Sequence, residues 1–227
     1  MPKLTSIICS SFNNTRQNTH ITMLCLQNIV QYTNPDEYEL ILVDPAPQYP
    51  VRDDYKVLKI DKWVKPKKDP GYPAGMNMGA KMAKGDYLCF IQNDVFVNEG
   101  WLEGLRFYLE NGYDTVWPDQ VPRSREYILE TYKRDPLDPE SLKGGRDEGL
   151  FMMTKEAFKK TGGFPEDLSI LVARGFYDRM NKAGVNWTDT NKVHISHITA
   201  STNLSTMDTN PKLYNKRMER DAKKLNG

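Results

Sequence analysis

The chain has 227 residues, and its 31 basic side chains stand against 30 acidic ones for a formal net charge of +1. That length fits one α/β domain, or a domain with a modest appendage, and a domain of this size buries enough surface to fold without disulfide or metal staples. The near-neutral charge gives no support for a general nucleic-acid or membrane binder, although it allows a local patch.

From the N-terminus, Leu4 to Cys9 is a short β-rich run that ends in the polar cluster SSFNNTRQN. Ile21, Leu24, Cys25, Asn28 and Ile29 then follow helical spacing, and the pattern stops at Thr33-Asn34-Pro35. Tyr38 to Val43 reads as a continuous apolar strand closed by Asp44-Pro45, and Lys56 to Ile60, which alternates weakly, as a third strand. Gly75 to Lys84 carries small and Met residues at helical spacing with Gly85-Asp86 as its stop, and Tyr87 to Ile91 is a fully apolar strand. This alternation predicts a parallel, Rossmann-like sheet with helices on both faces. Ligands of such sheets sit beyond the carboxyl ends of the strands. The polar residues there, Ser10 to Asn14, Asp44 and Gln92 to Asp94, are therefore expected to meet in one crevice.

Trp101 to Leu109 follows as an amphipathic helix and Thr115 to Trp117 as a further strand. Residues 119–147 are charged, carry prolines and lack clustered apolar residues. An excursion of that length in a compact domain reads as a lid or mobile segment. Order resumes with a strand over Leu150 to Met153, a helix over Lys155 to Thr161 ending in Gly162-Gly163, and a helix over Phe176 to Ala183 closed by Gly184. The tail from Lys212 to Asn226 puts Tyr214, Met218, Ala222 and Leu225 on one helical stripe among basic residues. That stripe is expected to dock on the body or on a second subunit, which makes a homo-oligomer through this helix an open expectation; a basic membrane-surface helix is the other reading.

Cys9, Cys25 and Cys89 are odd in number, lie in apolar runs and have no metal-ligand spacing. They read as buried free thiols of a reducing compartment, so a cytoplasmic location is expected. The apolar run of MPKLTSIICSS is too short for a signal peptide. No segment approaches the roughly 18 apolar residues of a membrane span. The sequons at Asn13, Asn186 and Asn203 are accordingly read as chance.

A strand that ends in Gln92-Asn93-Asp94 puts an amide and a carboxylate at the mouth of the crevice. A hard divalent cation that holds a diphosphate needs oxygen ligands and takes only one or two protein carboxylates. Around that triplet, residues 71–105 read GYPAGMNMGAKMAKGDYLCFIQNDVFVNEGWLEGL. The stretch resembles the family 2 glycosyltransferases of GT-A fold in Gly75, Asn77 and Gly79, then Ala83, Gly85, Asp86 and Tyr87, then Asn93-Asp94, then Trp101-Leu102. Thr5 to Asn13 resembles the family's first strand and its polar end, Leu40 to Asp44 its second strand with a terminal Asp, and Glu148 to Phe164 its acceptor-side segment ending in Gly-Gly-Phe.

The resemblance covers roughly residues 4–202 and implies an α/β GT-A fold, a Rossmann-like, mostly parallel sheet flanked by helices with a smaller acceptor-side region. It divides the single domain into a nucleotide-sugar-binding half (1–118), the excursion (119–147), an acceptor and metal-completing half (148–205) and a C-terminal helix (206–227). Ser10, Phe12, Asn13, Asp44, Asn77, Asn93 and Asp94 are the implied donor-binding residues. Asp94 is the implied metal ligand, for Mn²⁺ or Mg²⁺, because Gln92 replaces the first acidic position of a full Asp-x-Asp. His197 is the favoured imidazole ligand, from its spacing to Ser201, with His194 in reserve. The implied reaction is transfer of a sugar, with inversion, from a uridine or thymidine diphosphate donor to an acceptor hydroxyl. Glycan, lipid-linked carrier, protein and modified base all stand open as acceptors.

The catalytic base departs from the pattern. Family members commonly supply it from Glu-Asp or Asp-Asp ahead of a helix ending in Lys-Ala-Gly, and here those positions hold Val172-Ala173. Asp147 and Glu148 are the preferred replacements, ahead of Glu166, Asp167 and Asp178. Two alternatives stay open: a nucleotidyltransferase-like enzyme, disfavoured by the absence of glycine in Ser10-Ser11-Phe12-Asn13-Asn14, and a degenerate donor-binding module.

Overall fold

The structure, a computed structural model, describes residues 3–11, 13, 15–44, 58–122 (backbone only at 121–122), 149–198 and 210–226. Among the described residues, eight strands form one sheet: β1 (Thr5–Ser10), β2 (Tyr38–Val43), β3 (Lys62–Val64), β4 (Tyr87–Gln92), β5 (Val95–Phe96), β6 (Thr115–Pro122), β7 (Leu150–Thr154) and β8 (Trp187–His197). Their spatial order is β3-β2-β1-β4-β7-β6-β8-β5. The helices are α1 (Arg16–Gln31), α2 (Tyr72–Met82), α3 (Trp101–Glu110), α4 (Lys155–Thr161), α5 (Val172–Lys182) and α6 (Pro211–Asn226).

β1 and β2 are buried at every residue because helices cover both faces of the sheet. Alternation along β1 sends Ile7 and Cys9 to a core shared with Cys25, Leu26 and Ile29 of α1 and Trp101, Leu102 and Leu105 of α3. Ile8 points to the other core, with Met76 and Ala80 of α2 and an aromatic group of Phe90, Phe151, Phe164 and Phe176. Two glycines of the 71–105 stretch mark close approaches there. A Cβ on Gly79 would lie 2.3 Å from Ile8 Cγ2, and one on Gly85 would lie 2.6 Å from the Leu4 carbonyl.

β1 pairs in parallel with β2 and β4, β2 with β3, and β6 with β8. The expected architecture, a mostly parallel α/β sheet flanked by helices, is the one found. Four details go beyond or differ from the sequence expectations. A strand is described at Lys62–Val64, whereas the expected one spans Lys56 to Ile60; residues 58–60 are not a strand, and Lys56 and Val57 lie outside the described residues. β6 runs on to Pro122, so the first residues assigned to the excursion belong to the sheet, and α5 starts at Val172 instead of Phe176. β7 enters antiparallel between β4 and β6. An apolar run signals burial and says nothing of strand direction.

The far edge of the sheet curls back. Only Asn93 and Asp94 separate β4 from β5, yet β5 pairs with β8 at the other end of the strand order. β8 reaches that position past an irregularity, since Thr190 pairs with Pro118 and His194 with Asp119, leaving Asn191, Lys192 and Val193 outside the β6 ladder. α6 docks on the body of its own chain, with Leu225 against the second core and Asp221 fully buried. Cys9, Cys25 and Cys89 are free and buried, and burial holds the Cys89 thiol well above its ordinary range. Among the described residues no helix is long and apolar enough to cross a membrane.

Candidate functional site

The parallel register sets Ser10 level with Val43 and with Gln92, so the chain leaves β1, β2 and β4 along one edge. Beyond that edge the polar residues form a continuous chain of hydrogen bonds. Ser11 Oγ donates to Asp44 Oδ1 at 2.5 Å, and Asn13 Nδ2 donates to the same oxygen at 3.1 Å. Thr22 of α1 donates to Asn13 Oδ1 at 2.9 Å, and Asn93 Nδ2 donates to Thr22 Oγ1 at 2.7 Å. Asn13, Thr22 and Asp44 are all buried. Burial pushes the Asp44 carboxyl above its ordinary value, while the Ser11 and Asn13 hydrogen bonds pull in the opposite direction.

At the other end of this chain, Asp94 follows Asn93 and meets β8. Asp94 Oδ1 and His197 Nε2 stand 3.3 Å apart with both side chains buried. The contact is built by backbone pairing: Val95 lies opposite His197, and the Ile198 N–H donates to the Asp94 carbonyl at 3.0 Å. Gly149 closes the site from the β7 side, where a Cβ would fall 2.6 Å from His197 Nδ1 and 2.5 Å from Gln120 Oε1. Its carbonyl accepts the Gln92 N–H at 2.8 Å. Two ligands at adjacent corners of one octahedral cation stand about 3 Å apart. The 3.3 Å separation of the carboxylate–imidazole pair is compatible with both side chains reaching one divalent ion. Among the described residues no group of three or more His, Cys, Asp or Glu side chains clusters as a complete metal site.

Residues 6–164 match the family described as glycosyl transferase family 2. The chain belongs to that family. No curated protein sequence matches it. Among solved structures, the mannosyltransferase PcManGT from Pyrobaculum calidifontis, in complex with GDP-Man and Mn²⁺, superposes with a TM-score of 0.66 at 15% identity over 89% of this chain and 59% of that one. S. aureus TarS 1-349 superposes with a TM-score of 0.62 at 14% identity over 86% of this chain and 60% of that one. At such identity the likeness is one of fold, and this chain spans about three fifths of each neighbour's length.

Within this family 2 chain the other expected site residues have varied placements. Ser10 is buried with its hydroxyl facing Gly75 of α2, whose Cβ would lie 3.1 Å away. Asn77 is used as a clamp: its amide donates to the Phe164 carbonyl at 3.0 Å and to Glu166 Oε1 at 2.8 Å, and accepts the Phe164 N–H at 2.9 Å. It thus holds α2 to the Gly162-Gly163-Phe164 turn instead of reaching the polar chain at the strand ends. His194 is separated from Asp94 and pairs with Asp119, Nδ1 to Oδ2 at 3.2 Å. Phe12, Asp147, Glu148 and Ser201 lie outside the described residues. Of the aromatics, Trp101 and Trp117 are core residues, Tyr72 packs edge-on to Phe164, and Trp187 is partly exposed against Trp117.

At the position where the family's base is expected, Val172 is buried and apolar. A carboxylate does reach the start of α5, from Asp221 of α6. Its Oδ2 accepts the backbone N–H groups of Ser169 and Ile170, each at 2.7 Å, and of Leu171 at 3.3 Å. Burial raises this carboxyl and those N–H bonds, with Arg220, more than reverse the effect, so it sits below its ordinary value. Such a group is a helix cap rather than a proton acceptor. Sequence reading passed over Asp221, Thr22 and Asp119, because each is an ordinary polar residue until the fold brings its partner from elsewhere in the chain.

Proposed function

We propose that this chain transfers a sugar from a nucleoside diphosphate donor, uridine or thymidine diphosphate-linked, to an acceptor hydroxyl with inversion, using a divalent cation held by Asp94 and His197. The observation that carries the reading is the buried Asp94–His197 pair at 3.3 Å, positioned at the carboxyl end of β4 in a family 2 chain. Bound there, Mn²⁺ or Mg²⁺ would neutralise charge that develops on the departing diphosphate. Asp44, held by Ser11 and Asn13, offers a carboxylate to the N–H of a nucleobase, with Asn93 on the diphosphate side. Ser10 supports the β1 end of this donor cradle.

Asp147 or Glu148 is the proposed base, taking the acceptor proton as that oxygen attacks the anomeric carbon. Glu148 immediately precedes Gly149, which packs on the His197 ring, and this supports the assignment. A thermal-shift series with nucleotide sugars, with and without Mn²⁺, tests the whole reading. A metal-dependent rise in melting temperature is expected for the wild type. Asp94→Ala should lose that increment, and an unchanged increment in the variant would remove the metal assignment.

A further inference from the structure

The hydrogen bonds beyond the sheet edge have one direction. Asn93 Nδ2 donates to Thr22 Oγ1, Thr22 Oγ1 donates to Asn13 Oδ1, and Asn13 Nδ2 donates to the Asp44 carboxylate. Each link turns an acceptor at one end into a donor at the other, so the series polarises toward the negative charge. The hydroxyl of Thr22 is fully buried, and its one proton is shared between Asn13 Oδ1 at 2.9 Å and the Asn18 carbonyl at 3.0 Å, a bifurcated bond that also anchors it to the turn before it on α1. One end of the series is the strand-end carboxylate of β2, and the other is the residue beside Asp94.

The geometry points to Thr22 as a positioning residue that ties the nucleobase end of the donor site to the metal-bearing turn. α1 contributes no carboxylate or imidazole to the site. Its role is to hold Asn13 and Asn93 at a constant separation, so that base recognition at Asp44 and phosphate-side binding at Asp94 keep one register. A hydroxyl is required at residue 22 because it must accept from one amide and donate to the other, and a methyl can do neither. This inference rests on the donor reading above.

The test mutates one end and reads the other. Binding of UDP, dTDP and GDP is first measured with and without Mn²⁺ by titration calorimetry; a wild-type chain that binds none of them overturns the donor reading itself. With the tightest of these, Asn93→Ala should weaken metal-free binding of the corresponding monophosphate severalfold, although the base is read at Asp44. Thr22→Val, which keeps the shape and deletes the hydroxyl, should weaken it roughly tenfold. In the Thr22→Val background, Asn93→Ala should have no further effect, and Thr22→Ser should recover most of the lost affinity. Wild-type metal-free affinity in Asn93→Ala, or Thr22→Ser as impaired as Thr22→Val, would overturn the role of Thr22. Should Thr22→Val fail to fold, Thr22→Ser is read against wild type instead: affinity within about threefold of wild type supports the role, and a loss of about tenfold or more overturns it.

Discussion

Two buried carboxylates, one at the end of β2 and one in α6, are treated in opposite ways. Asp44, at the end of β2, is 1% exposed; burial outweighs the Ser11, Asn13 and Trp63 side chains and the Lys65 cation that act against it, so its carboxyl is raised. Asp221, in α6, is fully buried and receives three backbone N–H groups and Arg220, and its carboxyl is lowered. For the first, the groups around it do not fully offset the cost of burial. The second is satisfied by the structure around it. A carboxylate whose charge the fold leaves uncompensated is the better candidate for a ligand site, and one that the fold compensates is a structural clamp.

Substitutions can sharpen that contrast. The largest effect is expected from Asp94→Ala, which should reduce donor hydrolysis or transfer by at least about a hundredfold, measured at saturating Mn²⁺, with little change in the far-ultraviolet circular dichroism. Asp221→Ala comes next: it strands three N–H groups at the start of α5, and chemical denaturation should show a loss of about 2–3 kcal/mol. Asp44→Asn should behave in the reverse manner. It removes a destabilised charge, so stability should hold within ~1 kcal/mol or rise, while nucleotide affinity falls roughly tenfold. A large stability loss in Asp44→Asn would erase the distinction between the two carboxylates. The smallest effect belongs to Glu156→Gln, which breaks an exposed i,i+4 pair with Lys160 and should cost less than ~0.5 kcal/mol.

The pH dependence separates the same two groups. Asp221 has a folded value below its ordinary 3.8, so its contribution is complete above 3.8 and is lost as pH falls through the folded value. Asp44 has a folded value above its ordinary 3.8, so the folded state takes up its proton first and stability declines as pH rises from 3.8 through that raised value. Denaturation curves between roughly pH 3 and 7 for Asp221→Ala and Asp44→Asn should therefore diverge from wild type in opposite directions, each difference pinned to its own side of the ordinary carboxylate value.

The elements that were legible in the sequence are those with local signals. β1, β2, β4 and α3 come directly from apolar runs and helical spacing, and the convergence of Asn13, Asp44 and Asn93 follows from parallel strands that end on one edge. Lys62–Val64 escapes the sequence because it is a short, half-buried edge strand with no periodicity to read. Asn77 is a different case. Its spacing in the motif stretch is right for a site residue, but its partners, Phe164 and Glu166, lie far along the chain. Sequence favours His197 over His194 only through its spacing to Ser201, and the β8 pairing is what sends His194 to Asp119 and His197 to Asp94.

The sequence by itself determined the α/β class, the strand ends that carry the polar residues, and family membership through residues 6–164. These are properties of short segments, whose burial and turn preferences are encoded within a few neighbouring residues. Tertiary structure alone decided that β7 runs antiparallel, that the sheet curls until β8 meets the turn after β4, and that α6 folds back to cap α5 with Asp221. Those outcomes depend on which surfaces pack together across long sequence separations, where the free energy lies in mutual burial and paired backbone groups rather than in any residue's own preference.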